Sequence, residues 1–276
     1  MNISVVFNID SSLIGLEIGN YKLMKCSEDD ESSIYSIIHK FVQSYYPQFL
    51  SSFYMYIKDI MEPEESANIY KSFELLVNSF KFYKTSKISF SNTITINDNG
   101  GAIISLLTDG YYSHTEGELN DFSLKDNELD SFYKFYKTIN TYSGPNLKLI
   151  QDMISFYHEA SRQKKPQIKF ILRVTILELL LDGNAELSYR LSRSVAVLLG
   201  KSVEESELIY ENTKKLYNAR SKYLHEGSSS IPENCYNNAT EFSRCLISAL
   251  YTINKPISDI RKELLKSGYG NNPFNL

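Results

Sequence analysis

Arg220 and His225 stand five positions apart in "LYNARSKYLHEG", residues 216 to 227, and Gly227 follows almost at once. Histidine titrates near neutrality and so takes or gives a proton, while an arginine guanidinium neutralises charge that develops on a phosphoryl group. RNA cleavage asks for little more, because the 2′-hydroxyl of the substrate is itself the nucleophile. Such chemistry requires neither a metal ion nor a cofactor. The same residues have a purely structural use: Arg220 bridging to Glu178 or Glu186, and His225 favouring the helix dipole in the last turn before a glycine cap. Spacing alone favours the structural use. Five helical residues rotate by about 140° and rise by about 7.5 Å, so the side chains do not stack, yet a long arginine and an imidazole near a helix end can converge on one phosphodiester.

The element that positions them is "SVEESELIYENTKKLYNARSKYLHEG". Ser202 and Glu205 form a capping-box signature at its start. Ile209, Leu216 and Tyr223 repeat at seven, as do Tyr210, Tyr217 and Leu224, which predicts one buried stripe. Arg220 lies about 40° from both Leu216 and Leu224 and therefore inside that stripe. Surface placement does not account for it.

From about residue 126 the chain reads as helices with short breaks at Pro145, Gly183, Gly200, "EGSSSIPEN" and Pro256, giving segments near 145–162, 166–181, 185–199, 203–226 and 233–253. The connections suit an antiparallel bundle. "KPQIKFILRVTILELLLDG" is apolar nearly all round and is expected to be its most buried helix. Between Phe170 and Asp182 it carries only two charges, Arg173 and Glu178. A buried charge needs a partner, so Glu178 is expected to face a cation from another helix or a wet cleft.

The first 125 residues read differently. "ISVVFNI", "LIGLEI" and "YKLMKC" are short β-branched and aromatic runs, "SEDDESS" is a solvated turn ahead of a helix through "IYSIIHKFVQSYY", and "KISFSNTITIN" and "GAIISLL" flank the turn signal "DNGG". The expected fold class is α+β: a mixed α+β domain over 1–125, then an all-α bundle over 126–276. No phosphate loop, dinucleotide fingerprint or metal-spaced cluster occurs in the N-terminal part. His39 and His114 stand alone there and receive no role. A metal-dependent hydrolase built on "EDDE" has nothing else to support it.

The 276 residues, 42% hydrophobic and 13% aromatic, are enough for a sizeable core. No run of about 18 apolar residues occurs, and "MNISVVFNID" lacks the features of a signal peptide. The expectation is a cytoplasmic chain with no membrane partner. Cys26, Cys235 and Cys245 lack paired spacing and fit reduced, packed thiols. Residues 126–276 hold 20 of the chain's 29 basic and 17 of its 33 acidic residues, so this half is slightly basic and the first acidic. That excess does not grip nucleic acid by charge alone, so an RNA contact must be local or built from two copies.

Three blocks, "TILELLL" (Thr175 to Leu181), "AELSYRLSRSVAVLLG" (Ala185 to Gly200) and "LYNARSKYLHEG", occur in an order and at separations that resemble the HEPN superfamily, Apea-like branch, from Phe170 to near Lys255. The resemblance implies an all-helical, usually dimeric fold in which R-x4-6-H motifs from two protomers share one cleft. It also implies metal-independent endoribonuclease activity, leaving a 2′,3′-cyclic phosphate and a 5′-hydroxyl, often in anti-phage defence or toxin systems. Arg220 and His225 match the motif. Ser221 stands where Asn, Asp or His is common, and it keeps hydrogen bonding without charge. Lys222 and Arg190 are expected on RNA, and Glu178, Glu186 and Tyr223 in support. Implied partners are RNA, a second copy completing a composite active site, and an antitoxin or phage-derived trigger. The alternative is a non-catalytic helical module that binds a nucleotide or protein, its Arg/His pair structural.

Overall fold

In a computed structural model the described residues are 2–26, 32–45, 54–59, 66–86, 88–96, 102–105, 120–182, 186–227 and 230–274. They form two compact units, Met1–Asn140 and Thr141–Leu276. The fold is α+β, with an antiparallel sheet towards the N-terminus and a helical C-terminal region.

The first unit contains strands β1 (Asn2–Phe7), β2 (Glu17–Ile18), β3 (Tyr21–Lys25), β4 (Tyr54–Asp59), β5 (Ser89–Ile96) and β6 (Ala102–Ser105), and helices α1 (Ser32–Tyr45) and α2 (Ser66–Tyr83). The strands form one sheet in the order β2-β3-β4-β1-β5-β6, antiparallel at every pairing. All six residues of β1 are buried. The alternation of a strand then sends side chains to two separate cores. Ile3, Val5 and Phe7 join Ile34, Ile38, Phe41 and Val42 of α1, whereas Val6 joins Phe73, Leu76 and Phe80 of α2. Between Ser4 and Val6 the register with β5 shifts, and the Ser91 hydroxyl accepts the Val5 N–H at 2.9 Å in place of a ladder bond.

Only the end of "LIGLEI" is strand, because Leu13 sits in a single helical turn, Ser11–Leu13, in which the Asp10 carboxylate accepts the Ser12 N–H. "KISFSNTITIN" and "GAIISLL" pair antiparallel as β5 and β6; the "DNGG" turn and His114 lie outside the described residues, as does most of "SEDDESS". The pattern change at residue 126 is followed by α3 (Leu129–Thr141), whose Phe132 packs into the core of the first unit with Phe80 and Phe122.

The second unit consists of α4 (Leu147–Arg162), α5 (Pro166–Glu178), α6 (Leu187–Leu199), α7 (Val203–Glu226), α8 (Glu233–Thr252) and α9 (Ile257–Lys266). Pro166 opens α5, where its missing N–H costs nothing. The helix is central, packing against α4, α6, α7 and α8 and burying Phe170, Val174, Ile176 and Leu177. Arg173, 2% exposed, is accommodated by lying over the Tyr157 ring and donating to the Ser161 hydroxyl at 3.0 Å. The turn from α6 to α7 is tight: a Cβ on Gly200 would lie 2.2 Å from the Ser206 hydroxyl oxygen. Among the described residues no helix is long and apolar enough to cross a membrane.

Candidate functional site

Helix α7 begins with the Ser202 hydroxyl accepting the Glu205 N–H at 3.1 Å. The Glu205 carboxylate takes the Lys201 N–H, one residue ahead of the bond a complete capping box makes. From there the buried face runs through Ser206, Ile209, Thr213 and Leu216. Tyr210 and Tyr217 are half-buried and Leu224 is 46% exposed, so the second of the two heptad series borders the core and then leaves it. The next position of the buried face after Leu216 is Arg220, and no later residue of α7 is buried. The arginine therefore closes the apolar stripe, half-buried where helix meets solvent.

Its partner comes from the end of α5. Arg220 Nη2 lies 3.2 Å from Glu178 Oε2, with side-chain exposures of 24% and 23%. Of the two acids open to Arg220 from sequence, Glu178 makes the pair. Burial pushes the Glu178 carboxyl above the usual carboxylate range, and the adjacent guanidinium draws it partly back. Arg220 Nε is buried and has no hydrogen-bond partner among the described residues.

The other arginines around this end of the bundle are better satisfied. Arg190 donates to the Asp182 carbonyl at 2.8 Å and to its carboxylate at 2.6 Å. Arg193 donates to the carbonyls of Leu264 and Ser267. Arg261 donates to the carbonyls of Leu179, Leu180 and Leu181. Arg190 thus braces the turn after α5. Glu186 is exposed at the start of α6 in the left-handed region, φ 51°, and makes no ion pair among the described residues.

His225 is exposed in the last turn of α7, and it makes no hydrogen bond or ion pair among the described residues. Gly227 ends the helix at φ 66°, a left-handed conformation that favours glycine. Ser221 and Tyr223 are half-buried, and Lys222 is exposed. Charge is segregated along the helix. Glu204, Glu205, Glu207 and Glu211 precede Lys214, Lys215, Arg220, Lys222 and His225; Glu204 and Glu205 in the first turn and His225 in the last suit the macrodipole, whereas the terminal Glu226 opposes it.

Comparison with protein families, with curated proteins and with solved structures gives no match. The site therefore has to be read from its own chemistry. One end of α7 presents a half-buried guanidinium held by a carboxylate, an exposed imidazole about a turn and a half beyond it, and an exposed lysine between them. That arrangement places a cation held by a carboxylate and a water-exposed imidazole on the last turns of one helix. Sequence reasoning missed Asp182 and Arg261. Their only signal was the helix-ending "LLLDG", which leaves several carbonyls in need of donors.

Proposed function

We propose that this chain is a metal-independent endoribonuclease of the HEPN type, cleaving RNA, with tRNA as a candidate substrate, to 2′,3′-cyclic phosphate and 5′-hydroxyl ends. Arg220 is the observation that carries the reading. Its buried Nε has no acceptor among the described residues, and the exposed His225 follows on the same helix. Arg190 and Arg261, by contrast, spend their donors on oxygens of the turn after α5. In the proposed reaction the 2′-hydroxyl attacks the adjacent phosphorus while His225 takes its proton or protonates the departing 5′-oxygen. Arg220 neutralises the phosphorane oxygens, Lys222 holds the flanking phosphate, and Ser221 hydrogen-bonds the substrate. Glu178 orients Arg220.

A second copy would place two such helix ends around one strand and double the modest positive charge. The N-terminal unit would then sense a trigger, restrain the nuclease or select the RNA. A role in cytoplasmic anti-phage defence or in a toxin system, controlled by an antitoxin or a phage-derived signal, follows from the resemblance. The ion pair of Arg220 with Glu178 favours a second reading, a non-catalytic helical module binding a nucleotide or protein. The two are separated by incubating the purified chain with total tRNA and with unstructured RNA in EDTA. The enzyme yields cyclic-phosphate ends; the binding module leaves the RNA whole.

A further inference from the structure

The Glu178 carboxylate can hold Arg220 only if the end of α5 is itself fixed, and helix ends are where backbone bonding is weakest, since the last carbonyls have no amides in a following turn. Here the amides of Leu179, Leu180 and Leu181 turn back onto the carbonyls of Thr175, Leu177 and Glu178, and the carbonyls of that turn are taken by a side chain of α9. Arg261 of α9 donates through Nε to the Leu180 carbonyl at 2.7 Å and through Nη2 to those of Leu179 and Leu181 at 3.2 and 2.6 Å. These are the three residues that directly follow Glu178. Asp182 Oδ2 is 4.0 Å from Arg261 Nη1, so the guanidinium is committed mainly to the backbone. From α6, Arg190 grips Asp182 and closes the same turn. The turn after α5 is thus clamped by two arginines, directly after the carboxylate that meets Arg220.

We infer that Arg261 is a positioning residue: by bonding the carbonyls after Glu178 it sets that carboxylate against the Arg220 guanidinium, and through it the cation offered to the substrate phosphate. The last step rests on the ribonuclease reading; the first does not. The test uses the full chain. The thermal coupling between Glu178 and Arg220 is measured with Glu178→Gln, Arg220→Gln and the double variant, first in the native background and then with Arg261→Gln. Arg261→Gln is expected to cut the non-additivity in Tm by more than half. Arg261→Lys, whose compact ammonium cannot span three carbonyls, restores it only in part. On RNA, Arg261→Gln is expected to lower kcat about tenfold with little change in KM, the mark of a misplaced transition-state contact. Lost coupling in a chain that cuts no RNA upholds the positioning role and removes the ribonuclease reading. Coupling equal to native, whatever happens to Tm, overturns the inference. If Arg261→Gln does not fold, the Arg261→Lys background carries the same measurement, with a partial loss expected and native coupling again overturning it.

Discussion

Replacing Arg220 separates what its charge does for the fold from what its shape does for a phosphate. At 3.2 Å from Glu178 Oε2 and an effective dielectric constant of about 20, the gross attraction is about 5 kcal/mol. Most of it offsets desolvation. Breaking a fully buried pair costs about 3–5 kcal/mol and an exposed one below about 1 kcal/mol, so a pair with a quarter of its surface exposed falls near 2 kcal/mol. In a protein of this size that lowers Tm by roughly 4–8 °C, which is the loss expected for Arg220→Ala. Arg220→Lys keeps a cation beside Glu178 and should melt within about 2 °C of native. It cannot hold Glu178 and present a planar fork to phosphate oxygens together, so RNA cleavage should fall by roughly 100-fold. Scanning calorimetry on both variants with cleavage of one labelled RNA reads both quantities. Native cleavage by Arg220→Lys would refute the role given to the guanidinium, and a native Tm for Arg220→Ala would refute the ion pair as a stabilising contact.

Glu178 has its carboxyl raised in the folded state, so the fold holds its proton more tightly than the unfolded chain does; stability falls as pH rises from about 4.5 through the folded value, and Arg220→Ala shifts that window upward, as pH-dependent melting will show. Gly227→Ala forces a side chain into the left-handed region at φ 66°, and although the added Cβ meets open space, chemical denaturation should register a loss of about 1 kcal/mol. Ser202→Ala removes the hydroxyl that caps α7 and should cost about 1 kcal/mol by the same assay, without altering cleavage. Burial pushes the Cys245 thiol up to about 12, so in the folded chain it should resist alkylation at neutral pH, with mass spectrometry as the readout.

The helical half was largely legible because its signals are local. Pro166, the Ser202 cap and Gly227 mark ends that the structure keeps, and α7 spans Val203–Glu226 where the pattern placed it. Arg220 was legible as an inward residue from its angle to Leu216. What the pattern could not show is that the core ends with that residue, so Leu224, apolar and in register, stands in water. Burial on a long helix depends on where its neighbours stop, which no single segment encodes. The sheet was only partly legible for a similar reason. β4, "YMYIKD", pairs with β1 and β3 from between them, a placement set by partners distant in sequence. At the site, the Glu178 partnership followed from the cost of burying a charge, but Arg261 reaches the same turn from 80 residues or more away through contacts to backbone carbonyls, which have no sequence signature.

Chemical rescue decides whether the His225 imidazole moves the proton in RNA cleavage. Native chain and His225→Ala are incubated with the same RNA in EDTA, with and without added imidazole. His225→Ala is expected to be folded but inactive and to regain part of the rate with imidazole, each cut leaving a 2′,3′-cyclic phosphate on one fragment and a 5′-hydroxyl on the other, as with the native chain. Cleavage by His225→Ala at the native rate without imidazole would contradict this role for His225.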